Sequence, residues 1–191
     1  MNIQGKPRMG KRGKTILPLL LGLSLTLQAN TRPSAATQSL EEQSVLAALA
    51  LNIVRFTNWP SEAEKEMKEA INFCVVGDNV VQQSFTSIDD KTVGDKTLRV
   101  LNLSRLRNFD QCHVLYISDL KQNVLLQLLV EIKKRPVLTI GEDDNFAEYG
   151  GMIGLRNDNG KINLYINLPV AKEANLNISA RLLKLAKIIG N

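Results

Sequence analysis

The stretch "INFCVVG", residues 71–77, decides how the rest of the chain is read. It is short, almost wholly apolar, rich in β-branched residues, and ends on a glycine. Such a run reads as a buried strand. Asp78 follows it and can N-cap a short helix reaching about Phe85. The same grammar recurs downstream. "TLRVLNL" (97–103) alternates as a second strand, and "CHVLYIS" (112–118) is a third buried run. Ser118 or Asp119 then caps a helix from about Leu120 to Lys134, in which Leu125, Leu128, Leu129 and Ile132 fall on one face. Pro136 stops that helix, Lys133, Lys134 and Arg135 suit its C-terminal dipole, and "VLTIG" (137–141) is a fourth strand.

Strands alternating with helices predict an α/β fold with a mainly parallel sheet. The pattern changes at "GMIGLRNDNGKINLYINL" (151–168), where alternation on both sides of Asn159-Gly160 predicts an antiparallel hairpin. The last element is expected to be a helix, "SARLLKLAKII" (179–189), capped by Ser179 with Leu182, Leu185, Ala186 and Ile189 on one face. The expected architecture is three-layered: a mixed, mainly parallel central sheet of about six strands, helices on both faces, and the C-terminal antiparallel hairpin. Upstream of "INFCVVG", Leu40 to Thr57 reads as a helix with Val45, Leu49, Ile53 and Phe56 in one stripe. Pro60 disfavours helical geometry at Trp59 and ends it. Residues 61–70, "SEAEKEMKEA", are charged and expected to be solvated.

The first residues carry a different message. Lys6, Arg8, Lys11, Arg12 and Lys14 form a basic segment, Thr15–Leu27 is uncharged and leucine-rich, and small residues follow at Ala29, Ala35 and Ala36. This is the pattern of a cleaved secretory signal peptide. The apolar segment is shorter than the ~20 residues of a membrane span, and no cysteine follows it to take a lipid anchor. Residues 1–36 are therefore expected to be signal peptide and mature N-terminal tail, and 37–191 a single domain. Removing residues 1–36 takes away six of the 24 cationic groups and none of the 19 acidic ones, leaving a net charge of −1. The overall +5 thus belongs to the export signal. A nucleic-acid partner is not expected, because no phosphate-neutralising excess remains.

No catalytic constellation assembles from the residues. Ligands in α/β sheets gather at the carboxyl ends of strands, where Gly77-Asp78, Ser118-Asp119 and Gly141-Glu142-Asp143-Asp144 lie. Asp78 and Asp119 read equally as helix caps, and 142–145 as a solvated loop. The single His113 sits in a buried run with no zinc-ligand spacing, and Gly150-Gly151 reads as a turn into the hairpin. No metal, cofactor or enzymatic activity is expected. Cys74 and Cys112 are the only cysteines; in an oxidising compartment they suggest one disulfide, against the alternative of two buried thiols. Trp59, the only tryptophan, either lids the core or offers an anchor to a partner, and both can hold.

The ordered set "RFTNWP" (55–60), "FCVVGD" (73–78), "CHVLYIS" (112–118), "VLTIG" (137–141), "FAEYGGMIGL" (146–155) and "INLYINLPVAKEANLNISARLLKLA" (162–186) resembles the YfiR family. The resemblance spans about residues 40–190. It implies an exported, periplasmic protein that represses an inner-membrane diguanylate cyclase by binding its periplasmic sensor part. It also implies release through an outer-membrane, peptidoglycan-associated lipoprotein, and so a place in cyclic-di-GMP signalling and biofilm regulation. Cys74 and Cys112 match the family's cysteine pair; the further cysteines that some members carry around 141–155 are absent here. Phe56, Trp59 and Pro60 are the expected partner-binding residues, and a homodimer is a further expected association. The competing reading is a periplasmic small-ligand sensor that uses the strand-end cleft.

Overall fold

The computed structural model describes residues 35–103 and 106–190. The expected signal peptide falls outside them. The described chain begins with α1 (Ala35–Arg55), then β1 (Thr57–Asn58), α2 (Ser61–Met67), β2 (Ala70–Val76) and α3 (Asn79–Phe85). The short β3 (Thr92–Val93) and the longer β4 (Lys96–Asn102) lead to β5 (Val114–Ile117), α4 (Gln122–Ile132) and β6 (Leu138–Gly141). The hairpin is β7 (Ile153–Asp158) and β8 (Lys161–Asn167), followed by α5 (Leu168–Glu173), β9 (Asn177–Ile178), α6 (Ala180–Leu183) and β10 (Lys187–Ile189).

The central sheet has the order β10-β8-β7-β6-β5-β2-β4-β3. Five of its pairings are parallel; β3 with β4 and β7 with β8 are antiparallel. It is thus the expected mainly parallel sheet, with eight strands rather than about six. The two additions are its short edges, β3 and β10. "INFCVVG" lies between β4 and β5, buried along both neighbours. The hairpin turns at Asn159 and Gly160, both at positive φ (54° and 83°), as a two-residue turn of this type requires. A separate antiparallel pair, Thr57↔Ile178 and Asn58↔Asn177, joins the end of the first helix to the C-terminal segment.

Alternation along the inner strands divides two cores. Phe73, Val75, Val114, Tyr116, Leu138 and Ile140 face the side covered by α1 and α3. Cys74, Val76, Leu115 and Ile117 face α4, whose Leu125, Leu128, Leu129 and Ile132 are buried as their spacing predicts. Cys74 and Cys112 are joined by a disulfide within this second core, with Cα atoms 5.7 Å apart. Parallel pairing of β2 with β5 brings them together.

Three expectations are corrected. The "SARLLKLAKII" helix stops at Leu183; Ser179 does cap it, accepting from the Arg181 amide, but Lys187–Ile189 becomes β10 beside β8. A strand there lets Ile188 pack on the core and pairs backbone that a helix would leave at the sheet edge. The buried stripe of α1 is also rotated, to Leu46, Ala47, Ala50, Ile53 and Val54; Val45 is 54% exposed. Small alanines let that face approach α3 closely. Finally, α2 is not wholly solvated, since Ala63 and Met67 are buried.

Candidate functional site

At the strand ends, most of the polar side chains noted from sequence are already engaged. Asp78 accepts from the Val81 amide at 2.9 Å and caps α3. Asp119 caps nothing: the residue before α4 is Lys121, and Asp119 sits at φ 53° in the loop. Glu142 accepts from the Tyr116 hydroxyl at 2.9 Å and from Gln43 of α1 at 3.0 Å. Burial, and secondarily the Glu142 carboxylate, push the Tyr116 phenol far above its ordinary range, so it stays a donor. Asp143 accepts from the Asn145 amide. Among the described residues no group of three His, Cys, Asp or Glu side chains converges as metal ligands. What remains is a pair of shallow clefts of about 300 and 350 Å³ around Ser118 and Asp119. Gly77 is there because an added Cβ would meet Val81 at 2.8 Å, which is helix packing rather than a phosphate cradle.

His113 accepts from the Asn72 amide through Nδ1 at 2.8 Å. The ring is therefore neutral, and burial lowers its pKa against the opposing pull of Glu66. Gly141 and Gly151 have a role that the sequence reading missed. A Cβ on either would lie 2.2 or 2.1 Å from the Phe146 ring, which is held between the two backbones.

Trp59 belongs to the core. It is 8% exposed, clustered with the residues of α1 and α2, and its indole Nε1 has no hydrogen-bond partner among the described residues. An exposed anchor at Trp59 is thereby corrected, because Pro60 turns the chain into α2 and folds the indole inward. Pro60 itself is half-buried. Phe56, three residues earlier, is different. It is half-buried and lines an open apolar groove of about 560 Å³ between α1 and β8. Ile53, Leu155 and Leu182 form its buried floor; Leu49, Phe56, Ile162 and Leu164 are its half-buried walls. Leu185, 78% exposed, stands at its edge. The wall on β8 was legible as alternation at 162–168. What sequence could not show is that no helix covers its outer end.

A mainly parallel α/β sheet with open clefts is common to many proteins, so comparison decides the lineage. Residues 43–187 match the family described as YfiR/HmsC-like. The chain belongs to the YfiR/HmsC-like family. Members of this family are periplasmic regulators of diguanylate cyclase signalling rather than enzymes. The match covers every described helix and strand except the start of α1 and the last residues of β10. No curated protein matches this YfiR/HmsC-like chain. Among solved structures, it is similar to a conserved domain protein from Vibrio cholerae O1 biovar El Tor. That likeness has 14% identity and a TM-score of 0.43, and covers 68% of this chain and 60% of the other.

Proposed function

We propose that this YfiR/HmsC-like protein is exported to the periplasm and lowers cyclic-di-GMP synthesis by binding the periplasmic part of an inner-membrane diguanylate cyclase. The family match over residues 43–187 carries this reading. The engagement of Asp78 and Glu142 in contacts within the fold supports binding of a protein over catalysis or capture of a small ligand. Contact is made through the apolar end of α1 at Phe56, with Trp59 and Pro60 fixing that end from beneath. An outer-membrane, peptidoglycan-associated lipoprotein competes for the protein and releases the cyclase.

The test is genetic and quantitative. Cells lacking the protein should hold raised cyclic-di-GMP. The full chain should restore the wild-type level, and a version without residues 1–36 should not, because it stays on the wrong side of the membrane. Unchanged cyclic-di-GMP on deletion would sink the reading.

A further inference from the structure

We propose that the groove between α1 and β8 receives an acidic amphipathic helix of the partner protein. This rests on the regulatory reading above and specifies the face used and its chemistry. The argument begins with what a groove of this kind can hold. Its floor and walls are mainly aliphatic and aromatic, Asn52 and Asn163 add polar groups, and the only charged side chain lining it is Lys161. Concave apolar grooves bind helices through side chains at i, i+3, i+4 and i+7. Leu185, just past the end of α6, is exposed and presents the edge against which such a stripe would close, with Leu182 in the floor beneath.

The rim supplies the sign of the partner. Arg181 and Lys184 are exposed and alternate with the two leucines along the chain. Lys161 lines the groove but faces Asp158 across the hairpin turn, so the local excess is carried by Arg181 and Lys184. Lys187 is directed elsewhere, over Tyr165 on the other side of β8. The domain as a whole is close to neutral, which makes this a local concentration of positive charge. An acidic partner is steered to it and pairs with it at the periphery.

The same charge argues against a second copy of this chain. A two-fold dimer sets one patch against itself. The cations of both copies, Lys161, Arg181 and Lys184, would then be brought into one interface, a like-charge arrangement that costs affinity. A membrane surface fits less well than a helix, because interfacial insertion uses a protruding apolar face and this one is recessed. Elsewhere, Leu126 and Val130 of α4 are exposed one helical turn apart.

The test uses the mature protein and two partners in parallel. One is the purified periplasmic part of the cyclase. The other is a synthetic amphipathic helix of about five turns, with leucine at the i, i+3, i+4, i+7 positions and glutamate elsewhere, together with its lysine counterpart. Wild type should bind the glutamate peptide and not the lysine one, and should lose affinity as salt rises. Leu185→Glu and Lys184→Glu should each weaken binding to peptide and cyclase at least about tenfold without moving the melting temperature, while Val130→Glu changes nothing. Cyclase binding untouched by Leu185→Glu, or equal binding of both peptides, overturns the proposal. So does a wild-type dimer that Leu185→Glu splits, or binding to phosphatidylglycerol vesicles in place of the peptide. Peptide binding without any cyclase binding would leave the groove in place and remove the cyclase as its partner, which separates the two claims.

Discussion

Phe146 shows how much rests on atoms that a side chain lacks. Its ring is fully buried between Gly141, where β6 ends, and Gly151, just before β7. Either alanine substitution would place a methyl within the ring's own radius, and neither backbone can withdraw without shifting a strand. Gly151→Ala is therefore expected to cost about 1–3 kcal/mol, the usual range for overpacking a filled core. Denaturant unfolding should show it, and Gly151→Ala combined with Phe146→Leu should recover part of the loss. A Gly151→Ala protein as stable as wild type would mean the ring moves freely. His113 gives a second expectation. Its Nδ1 must stay unprotonated to accept from Asn72, and its folded pKa is lowered by burial, with Glu66 opposing. A lowered folded pKa means that the stabilisation is complete above the unfolded value of about 6.5. It is lost as pH falls from there toward the folded value. The melting-temperature gap between wild type and His113→Gln should narrow from pH 7.5 to pH 5, and a constant gap would refute it. In the sequence His113 reads as a buried strand residue; the structure corrects this, placing it half-buried in the bend just before β5. The Phe146 cradle was not legible, because two glycines ten residues apart carry no sign that they flank the same ring.

Elements were read best where one periodicity was unopposed. "INFCVVG", "CHVLYIS" and the Leu125–Ile132 stripe are found as strand, strand and helix because their length and pattern admit little else. "LLKLAKII" was misread because a short apolar run satisfies both periods, and only the free edge of β8 decides for strand. The rotation of α1 had a similar cause: Ala47 and Ala50 look weak beside Val45 and Leu49, yet small residues are what a closely packed face needs. The seating of α1 also depends on a polar contact that no pattern announces. Gln43 reaches Glu142, which is held by the buried Tyr116 hydroxyl, and Glu42 bonds to Asn157 of β7. Tyr116→Phe removes a donor from a part-buried carboxylate and should cost about 1–3 kcal/mol. Hydrogen exchange should become faster in the first half of α1 than in α4. Uniform exchange across both helices would show that the contact does not hold α1.

For the whole molecule, the disulfide is the covalent tie between β2 and the approach to β5. It closes a loop of 38 residues, for which the chain-entropy account gives roughly 4 kcal/mol. Cys74→Ser should lower the melting temperature under oxidising conditions and change it little in strong reductant; equal effects in both would assign the loss to packing. The class of fold, the family and the cysteine pair were all legible. The location of the groove was not, since it depends on how far the helices fail to cover the hairpin.

That groove has one wall from residues 49–56 and the other from residues 161–185, and the pairing of β1 with β9 holds them together. More than a hundred residues separate the two walls. A chain emerging N-terminus first therefore shows Leu49 and Phe56 long before anything can complete the surface they belong to. A truncated or half-emerged chain has one wall and no binding site. Competence to engage a partner is thus tied to completion of the fold, and fragments left by proteolysis of the C-terminal segment would be silent rather than dominant.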